Sequence, residues 1–461
     1  MNSEQKISIN KMGTEPIRKI MLTMGIPMIL SMVLQACYNI VDSMFVARMA
    51  DTPEITHAGE LAVNALTLAF PIQMLIVAFS IGTGVGVNAL VSMNLGRGNR
   101  EAVAKAAGNG ITLVLILYFV FLLFGLMGID SYLHSQTTNP IILQMGKRYL
   151  QICVFLSFGI FEFGIFEKLL QATGKTTFSM ISQIAGALVN IALDPILIYG
   201  WFGLPALRID GAAWATVIGQ IVSLGLNMFF HYRYNHEIPN GFRYLKLHLG
   251  TIKRIYSIGL PAIIMQALMS FMTYGVNIIL GAVSTAAVTS YGIFYKIQQF
   301  IFFAGFGLRD AITPIVSYNR GMENQTRVKE GMKYGILYIE IIMLAGVLGL
   351  EIFATPLISL FGLTDETAHL CILATRIIAG GFLFAGLNIA IQGIYQAIDC
   401  GIQSLLVSLL RLLVIVLPLC RLFASLPAAT TLVWFAFPIS ECIAAIVAVI
   451  LLARAVRMQN M

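Results

Sequence analysis

Residues 110–128 read GITLVLILYFVFLLFGLMG, a run that holds no charged side chain. About 20 consecutive apolar residues are enough for a helix to cross the hydrocarbon core of a bilayer. The run is continuous rather than alternating, which favours a helix over a strand of a transmembrane barrel. This stretch therefore predicts a membrane-spanning helix, and the rest of the chain repeats the pattern.

The composition of the whole chain is that of a membrane protein. Of its 461 residues, 58% are hydrophobic and 11% are charged, whereas a soluble domain carries about 25% charged residues. We predict an all-α membrane protein with twelve transmembrane helices, near residues 17–43, 61–86, 105–128, 141–168, 178–200, 211–231, 254–280, 285–309, 333–356, 367–396, 402–424 and 430–453. The first apolar stretch continues past the length of a signal sequence, so we interpret it as a genuine span.

The distribution of basic residues predicts the orientation. With the N-terminus placed in the cytoplasm, 21 of the 29 Lys and Arg residues fall on the cytoplasmic side and 6 on the other. Cytoplasmic loops of membrane proteins carry such an excess. We therefore expect a multi-pass protein of the cell inner (plasma) membrane with both termini in the cytoplasm. The net charge of +7 is explained by the anionic bilayer as partner, without nucleic acid.

The two halves of the chain resemble each other. VSMNLGRGN at 91–99 matches VSYNRGMEN at 316–324, and Gln171-Ala172 matches Gln396-Ala397, both at an offset of 225 residues. Because six spans return the chain to the same side, the halves are expected to be parallel repeats about a pseudo-two-fold axis along the membrane normal. We predict a six-helix N-terminal lobe over 1–231, a cytoplasmic linker over 232–253 and a six-helix C-terminal lobe over 254–461.

The sequence also resembles a known family of transporters. The segments that carry the resemblance are Gly25-x-Pro27 with Asn39-x-x-Asp42, NLGRGN at 94–99, LLQATGKTTFSMISQIAGALVNIALDPILIYG at 169–200, and Gly211-Ala212-Ala213 with Ala215-Thr216. They are similar to the multidrug and toxic compound extrusion (MATE) family, and the loop after the second helix and YKIQQF at 295–300 resemble its bacterial MepA-type branch. The resemblance covers nearly the whole chain.

This resemblance implies a V-shaped pair of six-helix lobes that exports organic cations in exchange for protons or sodium. It also implies a proton or cation site in the N-terminal lobe. By the resemblance, that site is formed by Tyr38, Asp42, Asn190, Asp194 and Thr216.

The residues themselves also single out Asp42 and Asp194. Ionisable residues within membrane spans are costly and usually mark function or paired structure. Tyr38 shares a helix face with Asp42, and Asn190 precedes Asp194 by one turn. Burial disfavours the charged form of a carboxyl group, so such a group can lose and regain a proton near neutral pH. The structural alternative is an aspartate that caps a helix or accepts a hydrogen bond from a neighbouring side chain.

Other intramembrane charges are candidates for the cavity wall or for structural pairs. Glu162 in the fourth helix and Lys296 in the eighth are predicted to line the substrate cavity. Arg411 is predicted to pair within the C-terminal lobe, where Glu340, Glu441 and Asp399 are available to it and to Lys296. Glu167, beside Lys168, is interpreted as an interfacial charge at the end of the fourth helix.

The predicted function is a secondary active antiporter that exports lipophilic cationic drugs, as a monomer, driven by a proton or sodium gradient. Some MATE transporters place acidic ligands in the seventh and tenth helices, but residues 269–279 and 380–392 contain no Asp or Glu. This favours coupling to protons through the N-terminal lobe. A flippase for a lipid-linked glycan is the alternative, and it requires a strongly cationic cavity.

Enzymatic activity is not expected. Gly174-Lys175-Thr176 resembles a phosphate loop, but position 169 is Leu where that motif requires Gly. We find no metal-ligand cluster, no catalytic constellation and no cofactor motif. The six cysteines are scattered and are interpreted as packing residues.

Overall fold

The computed structural model describes residues 10–51, 53, 55–359, 361 and 363–459, and of residues 39 and 40 the backbone only. Ten of the described helices are each long and apolar enough to cross a membrane, and two bent pairs raise the number of spans to twelve. We number these spans α1 to α12. Their bounds are α1 Ile17–Ala47, α2 Ala58–Gly96, α3 Arg100–Met127, α4 Pro140–Phe155 with Phe158–Ala172, α5 Thr176–Tyr199, α6 Ile209–Tyr234, α7 Leu249–Val283, α8 Thr285–Gly321, α9 Gln325–Ser359, α10 Asp365–Ala379 with Phe382–Ala397, α11 Gly401–Ala424 and α12 Ala429–Met458.

The predicted twelve-helix membrane fold is confirmed, and two of its helices are bent. The two segments of α4 meet at 45° and those of α10 at 50°. Both were predicted as single continuous spans, because apolar composition does not reveal a change of helix direction. Since α4 and α10 occupy the same place in the two halves, the bend itself belongs to the repeat.

The duplication is also visible in matching hydrogen bonds. Ser92 of α2 donates its hydroxyl to the carbonyl of Ala172 in α4 at 3.0 Å, and Ser317 of α8 donates to that of Ala397 in α10 at 3.2 Å. Donors and acceptors are each 225 residues apart. The same helix pair is therefore held by the same bond in both lobes.

Helices α2 and α8 continue past their predicted ends. They contain 39 and 37 residues, or about 55–60 Å at 1.5 Å per residue, which exceeds the bilayer core. The polar segments NLGRGN and NRGMEN were interpreted as loops. Asn94 and Asn319 instead donate their side-chain amides to carbonyls one turn earlier, at Leu90 and Ile315. This local bonding keeps the first three residues of each segment inside the helix, up to Gly96 and Gly321.

The two lobes meet along glycine-rich faces near one end of the bundle. We call the face at which α1 begins and α12 ends the terminal face. A methyl group added at Gly96 would lie 2.0 Å from the carbonyl oxygen of Tyr318, and one at Gly321 would lie 2.0 Å from that of Met93. The two glycines are related by the repeat, so α2 and α8 touch backbone to backbone across the pseudo-two-fold axis.

The same close approach continues along two further helix pairs. A methyl group at Gly86 of α2 would lie 2.1 Å from the carbonyl oxygen of Ile255 in α7, and one at Gly307 of α8 would lie 2.7 Å from the backbone of Ile29 in α1. These contacts fall in the half of each helix that is nearer to the terminal face. The lobes are therefore closed against each other on that side.

The segment before α1 also crosses between the lobes. The side-chain amide of Asn10 donates to the carbonyl of Thr173 in the N-terminal lobe at 3.0 Å. The carbonyl of Met12 accepts from Asn319 at 3.0 Å and from Arg327 at 2.9 Å, both in the C-terminal lobe. Met12 is fully buried between them.

The connection between α6 and α7 is anchored to α3. The buried side chain of Asn109 accepts from the backbone N–H of His248 at 2.8 Å and donates to the carbonyl of Lys246 at 3.1 Å. Helix α6 runs to Tyr234 and α7 begins at Leu249, so the helical part of the lobes extends into the predicted linker from both sides. The lobe boundaries themselves stay a prediction, and residues 1–9 lie outside the described residues.

One predicted ion pair inside the C-terminal lobe is confirmed. The Arg411 guanidinium donates to Glu441 Oε1 from Nη2 at 2.6 Å and from Nε at 3.0 Å, while Asn388 donates to Glu441 Oε2 at 2.8 Å. Arg411 lies in a short π-helical segment of α11, Leu410–Val414. Asp399 pairs with Arg320 instead.

We expect a fluorescent protein fused after the last residue to fluoresce in cells, and alkaline phosphatase fused there to be inactive. Both results follow if the terminal face is cytoplasmic, because the first reporter folds in the cytoplasm and the second requires the outside. A phosphatase fusion truncated after Thr138, between α3 and α4, is the control and should be active. An active phosphatase at the C-terminus would reverse the predicted topology.

We expect Arg411→Met to lower the melting temperature of the purified protein in detergent. The substitution leaves Glu441 ionised and buried without its partner, which costs about 3–5 kcal/mol in comparable cases. The double variant Arg411→Met/Glu441→Gln removes both charges and should recover most of the loss. Equal destabilisation of the single and double variants would show that packing, not charge pairing, stabilises this site.

Candidate functional site

The two predicted aspartates meet where α1 packs against α5. Asp42 lies near the end of α1 and Asp194 lies in the last third of α5, and their carboxyl groups are within hydrogen-bonding reach of each other. Asp194 is fully buried and Asp42 partly so. Both lie in the half of the N-terminal lobe that is far from the terminal face. The structure brings them into direct contact.

The two carboxyl groups lack donors. Among the described residues, neither oxygen of Asp194 and not Oδ1 of Asp42 has a hydrogen-bond partner. Two ionised carboxylates in contact repel each other, so the arrangement is favourable only with a shared proton or a bound cation between them. The pair is therefore an uncompensated negative site inside an apolar bundle.

The neighbouring predicted residues surround this pair. Asn190, one turn before Asp194, is buried, and neither polar atom of its side chain has a partner among the described residues. Tyr38 lies one turn before Asp42 on α1 and is partly buried. Both residues offer polar groups on the same side as the carboxyl pair.

The packing of α6 on α5 places Thr216 at the same depth. A methyl group at Gly219 would lie 3.1 Å from Cβ of Asn190, and one at Gly211 would lie 2.5 Å from the backbone of Leu197. These antiparallel contacts put Thr216 about level with Asp194. The five predicted residues therefore occupy one layer of the N-terminal lobe. The side chain of Asn39, which belongs to the motif of the resemblance, lies outside the described residues.

Three residues near Asp42 were missed by the sequence analysis. The amide of Gln73 in α2 donates to the hydroxyl of Tyr149 in α4 at 3.1 Å and to Cys153 Sγ at 3.6 Å. Tyr149 and Cys153 are close enough to Asp42 to sense its charge. An isolated glutamine in the apolar stretch of α2 was the signal that could have found this group.

The predicted cavity residues are not part of the aspartate layer. Glu162 is 4% exposed in the second segment of α4, and its Oε2 has no partner among the described residues. Lys296 is exposed and, within the described ranges, forms no salt bridge. The roles of Lys296 and Glu162 in substrate binding stay predictions.

Lys296 belongs to an unusual face of α8. The exposed or partly exposed side of this helix, in the half far from the terminal face, carries small and polar residues at helical spacing, namely Thr285, Thr289, Gly292, Lys296 and Gln299. Lipid-facing surfaces are apolar, so this polar face is more compatible with a water-filled cleft.

Comparison with known proteins identifies the family. The profile of the MatE family matches residues 27–196 and again residues 261–422. One match falls in each half, as the internal repeat requires. Together they cover more than half of the chain.

Individual relatives span the same length. The multidrug export protein MepA of Staphylococcus aureus (strain MRSA252) is 24% identical over 451 residues, which cover 98% of this chain and 96% of the relative. MepA of Staphylococcus haemolyticus (strain JCSC1435) is 25% identical over 418 residues, covering 91% and 89%.

A solved structure shares the fold. It is described as the outward-facing conformation of a multidrug resistance MATE family transporter of the MOP superfamily. It matches with a TM-score of 0.91 at 22% sequence identity and covers 99% of this chain and 100% of its own. The two-lobe, twelve-helix architecture is therefore the same in both proteins.

We expect Asp194→Asn to become more stable than the parent protein as the pH is raised. At alkaline pH the two carboxyl groups of the parent repel each other once both are ionised, whereas an amide at position 194 is neutral and can donate to Asp42. The melting temperature, measured from pH 5 to pH 9, should fall by a few degrees in the parent and remain level in the variant. Parallel curves for the two proteins would show that the carboxyl groups are not coupled in the folded state.

Proposed function

This chain belongs to the MATE family, and from that premise we propose that it is a secondary active antiporter that exports lipophilic organic cations in exchange for protons. The observation that supports the proposal is the buried contact between Asp42 and Asp194, which has no donor of its own among the described residues. Such a pair requires one positive charge at a time. A proton and a cationic drug compete for that requirement.

The competition supplies the coupling. With the lobes open to the cytoplasm, the unprotonated pair favours loading of a lipophilic cation from the cytoplasm or the inner leaflet. After the lobes reorient, protons enter from outside, neutralise the carboxyl groups and displace the cargo. Either occupant offsets the repulsion between two carboxylates in a low-dielectric lobe, so the cation and the protons replace each other on opposite sides of the membrane.

Sodium is the other candidate for the driving ion. A hard cation such as sodium binds oxygen ligands. The site offers the carboxyl oxygens, the amide oxygen of Asn190 and the hydroxyls of Tyr38 and Thr216. The proton is preferred because residues 269–279 and 380–392 of the seventh and tenth helices contain no Asp or Glu, and because Glu441 of the same lobe is occupied by Arg411 and Asn388. A sodium site on that acid would require both partners to leave.

The cation exporter is favoured over a lipid-linked glycan flippase. A flippase needs free bases in its cavity to hold a pyrophosphate. Arg411 is paired with Glu441, and the buried Lys168 and the half-buried Arg309 are both paired with Asp310. Of the two intramembrane bases predicted from the sequence, this leaves Lys296 as the exposed one.

We expect Asp194→Asn and Asp42→Asn each to reduce proton-driven efflux of ethidium from loaded vesicles by about tenfold or more, because the exchange loses one of its two carboxyl groups. Efflux is followed by fluorescence under an imposed proton gradient and, separately, a sodium gradient. Asp130→Asn is the matched control, since Asp130 lies on the surface of the same lobe and pairs with Lys147. Undiminished, proton-dependent efflux by Asp194→Asn would reject the mechanism.

A further inference from the structure

A buried cluster of charges joins the two lobes near the terminal face. Lys168 of α4 lies 2.7 Å from Asp310 of α8, measured from Nζ to Oδ2, and both side chains are 6% exposed. The other oxygen, Oδ1, accepts from the Arg309 guanidinium at 2.8 and 3.0 Å. Asp310 is therefore bound by one base from each lobe.

Lys168 and Arg309 are the last residues of the predicted spans 141–168 and 285–309, but neither ends its helix in the structure. Helix α8 continues to Gly321 and α4 to Ala172, so both bases lie inside helices. Lys168 is buried in the contact between the lobes. Glu167 likewise accepts a hydrogen bond from Gln171 at 2.8 Å within this cluster.

The repeat explains how the two bases are positioned. A methyl group at Gly84 of α2 would lie 2.8 Å from Cγ of Lys168, and one at Gly393 of α10 would lie 2.8 Å from Cγ of Arg309. Gly84 and Arg309 occupy equivalent positions, as do Lys168 and Gly393, at the offset of 225. Each lobe thus packs one base on one glycine, with the roles of the two helices exchanged.

The acid between the bases has no counterpart in the first half. The position equivalent to Asp310 is Val85, and both residues line one small cavity at the contact between the lobes, together with Asn88, Lys168, Thr313 and Gln396. A single acid near the pseudo-two-fold axis is thus shared by two bases, one from each lobe, that occupy non-equivalent positions of the repeat.

Each partner of the pair has an alternative within its own lobe. Lys168 Nζ already donates to Gln171 Oε1 at 2.9 Å, and Gln171 donates to the carboxylate of Glu167. Asp310 retains its ion pair with Arg309 of the same helix when the lobes part. Breaking a buried ion pair is ordinarily prohibitive because a bare charge is left behind. Here the lobes can separate and leave neither charge without a counter-ion.

We propose that the Lys168–Asp310 pair is the latch of the closed terminal face, formed when the lobes meet there and exchanged for Glu167 and Arg309 when they part. Lys168 and Asp310 are then positioning residues of the transport cycle, since they act on the equilibrium between lobe arrangements and not on the cargo. The inference rests on the proposed transport by rocking lobes, but it concerns a site separate from Asp42 and Asp194.

The test measures the separation of the lobes directly. Spin labels are placed at Arg100→Cys and Gln325→Cys, the exposed and repeat-related first residues of α3 and α9, in protein whose six cysteines are replaced. In lipid nanodiscs, pulsed electron paramagnetic resonance measures the ratio of short to long distances between the two spin labels. We expect Lys168→Met and Asp310→Asn each to lower this ratio by about tenfold, and the double variant to lower it no further, because all three variants remove the same contact between the lobes.

Arg411→Met is the matched control, since it breaks a buried ion pair within a single lobe. It should lower the melting temperature and leave the distances unchanged. If the Lys168 and Asp310 variants also lose stability without a change in distances, the pair is a structural element and the proposal is wrong. The measurement needs no substrate, so it stands or fails independently of proton-driven efflux, and Lys168→Met carries the test alone if Asp310→Asn does not fold.

Discussion

Burying a charge in an apolar helix bundle costs several kcal/mol unless an opposite charge or a set of hydrogen bonds matches it. Three pairs of charged residues in this transporter meet that constraint in different ways. Arg411 and Glu441 match each other within one lobe. Lys168 and Asp310 match each other between lobes and have substitutes at hand. Asp42 and Asp194 are not matched by any described donor. The first pair suits a fixed structural support, and the second suits a contact that breaks when the lobes part. The third pair suits a site that takes up a positive charge from a ligand or a proton.

The duplication accounts for the packing that the two lobes share, whereas the acids of the proposed cycle depart from the repeat. The Ser92–Ala172 and Ser317–Ala397 bonds repeat between the lobes, as do the reciprocal backbone contacts at Gly96 and Gly321. The positions equivalent to Asp194 and Asp310 in the other half, 419 and 85, are Leu and Val. Asp194 and Asp310 therefore each occur in only one of the two halves, which share the packing but not these acids.

Helix α1 connects the two charged regions. It carries Asp42 near one end, and closer to the terminal face its backbone touches α8, where a methyl group at Gly25 would lie 2.4 Å from Leu308. Leu308 is two residues from Asp310. The close glycine contact leaves little room for α1 to shift without α8. A change of occupant at the carboxyl pair and a change of the contact between the lobes can thus be coupled through this helix.

The sequence by itself determined the twelve spans, the repeat, the family and the candidates Asp42, Asp194 and Asn190, because apolar run length and polar residues within it are local properties of the chain. It did not determine which charges meet. Lys168 and Asp310 are 142 residues apart, and the Gln73–Tyr149–Cys153 group joins two helices. Such pairings depend on the depth and rotation of each helix, which are set by glycine contacts between helices. Only the tertiary structure could therefore distinguish the paired Arg411 from the exposed Lys296, or an interfacial Lys168 from one buried between the lobes.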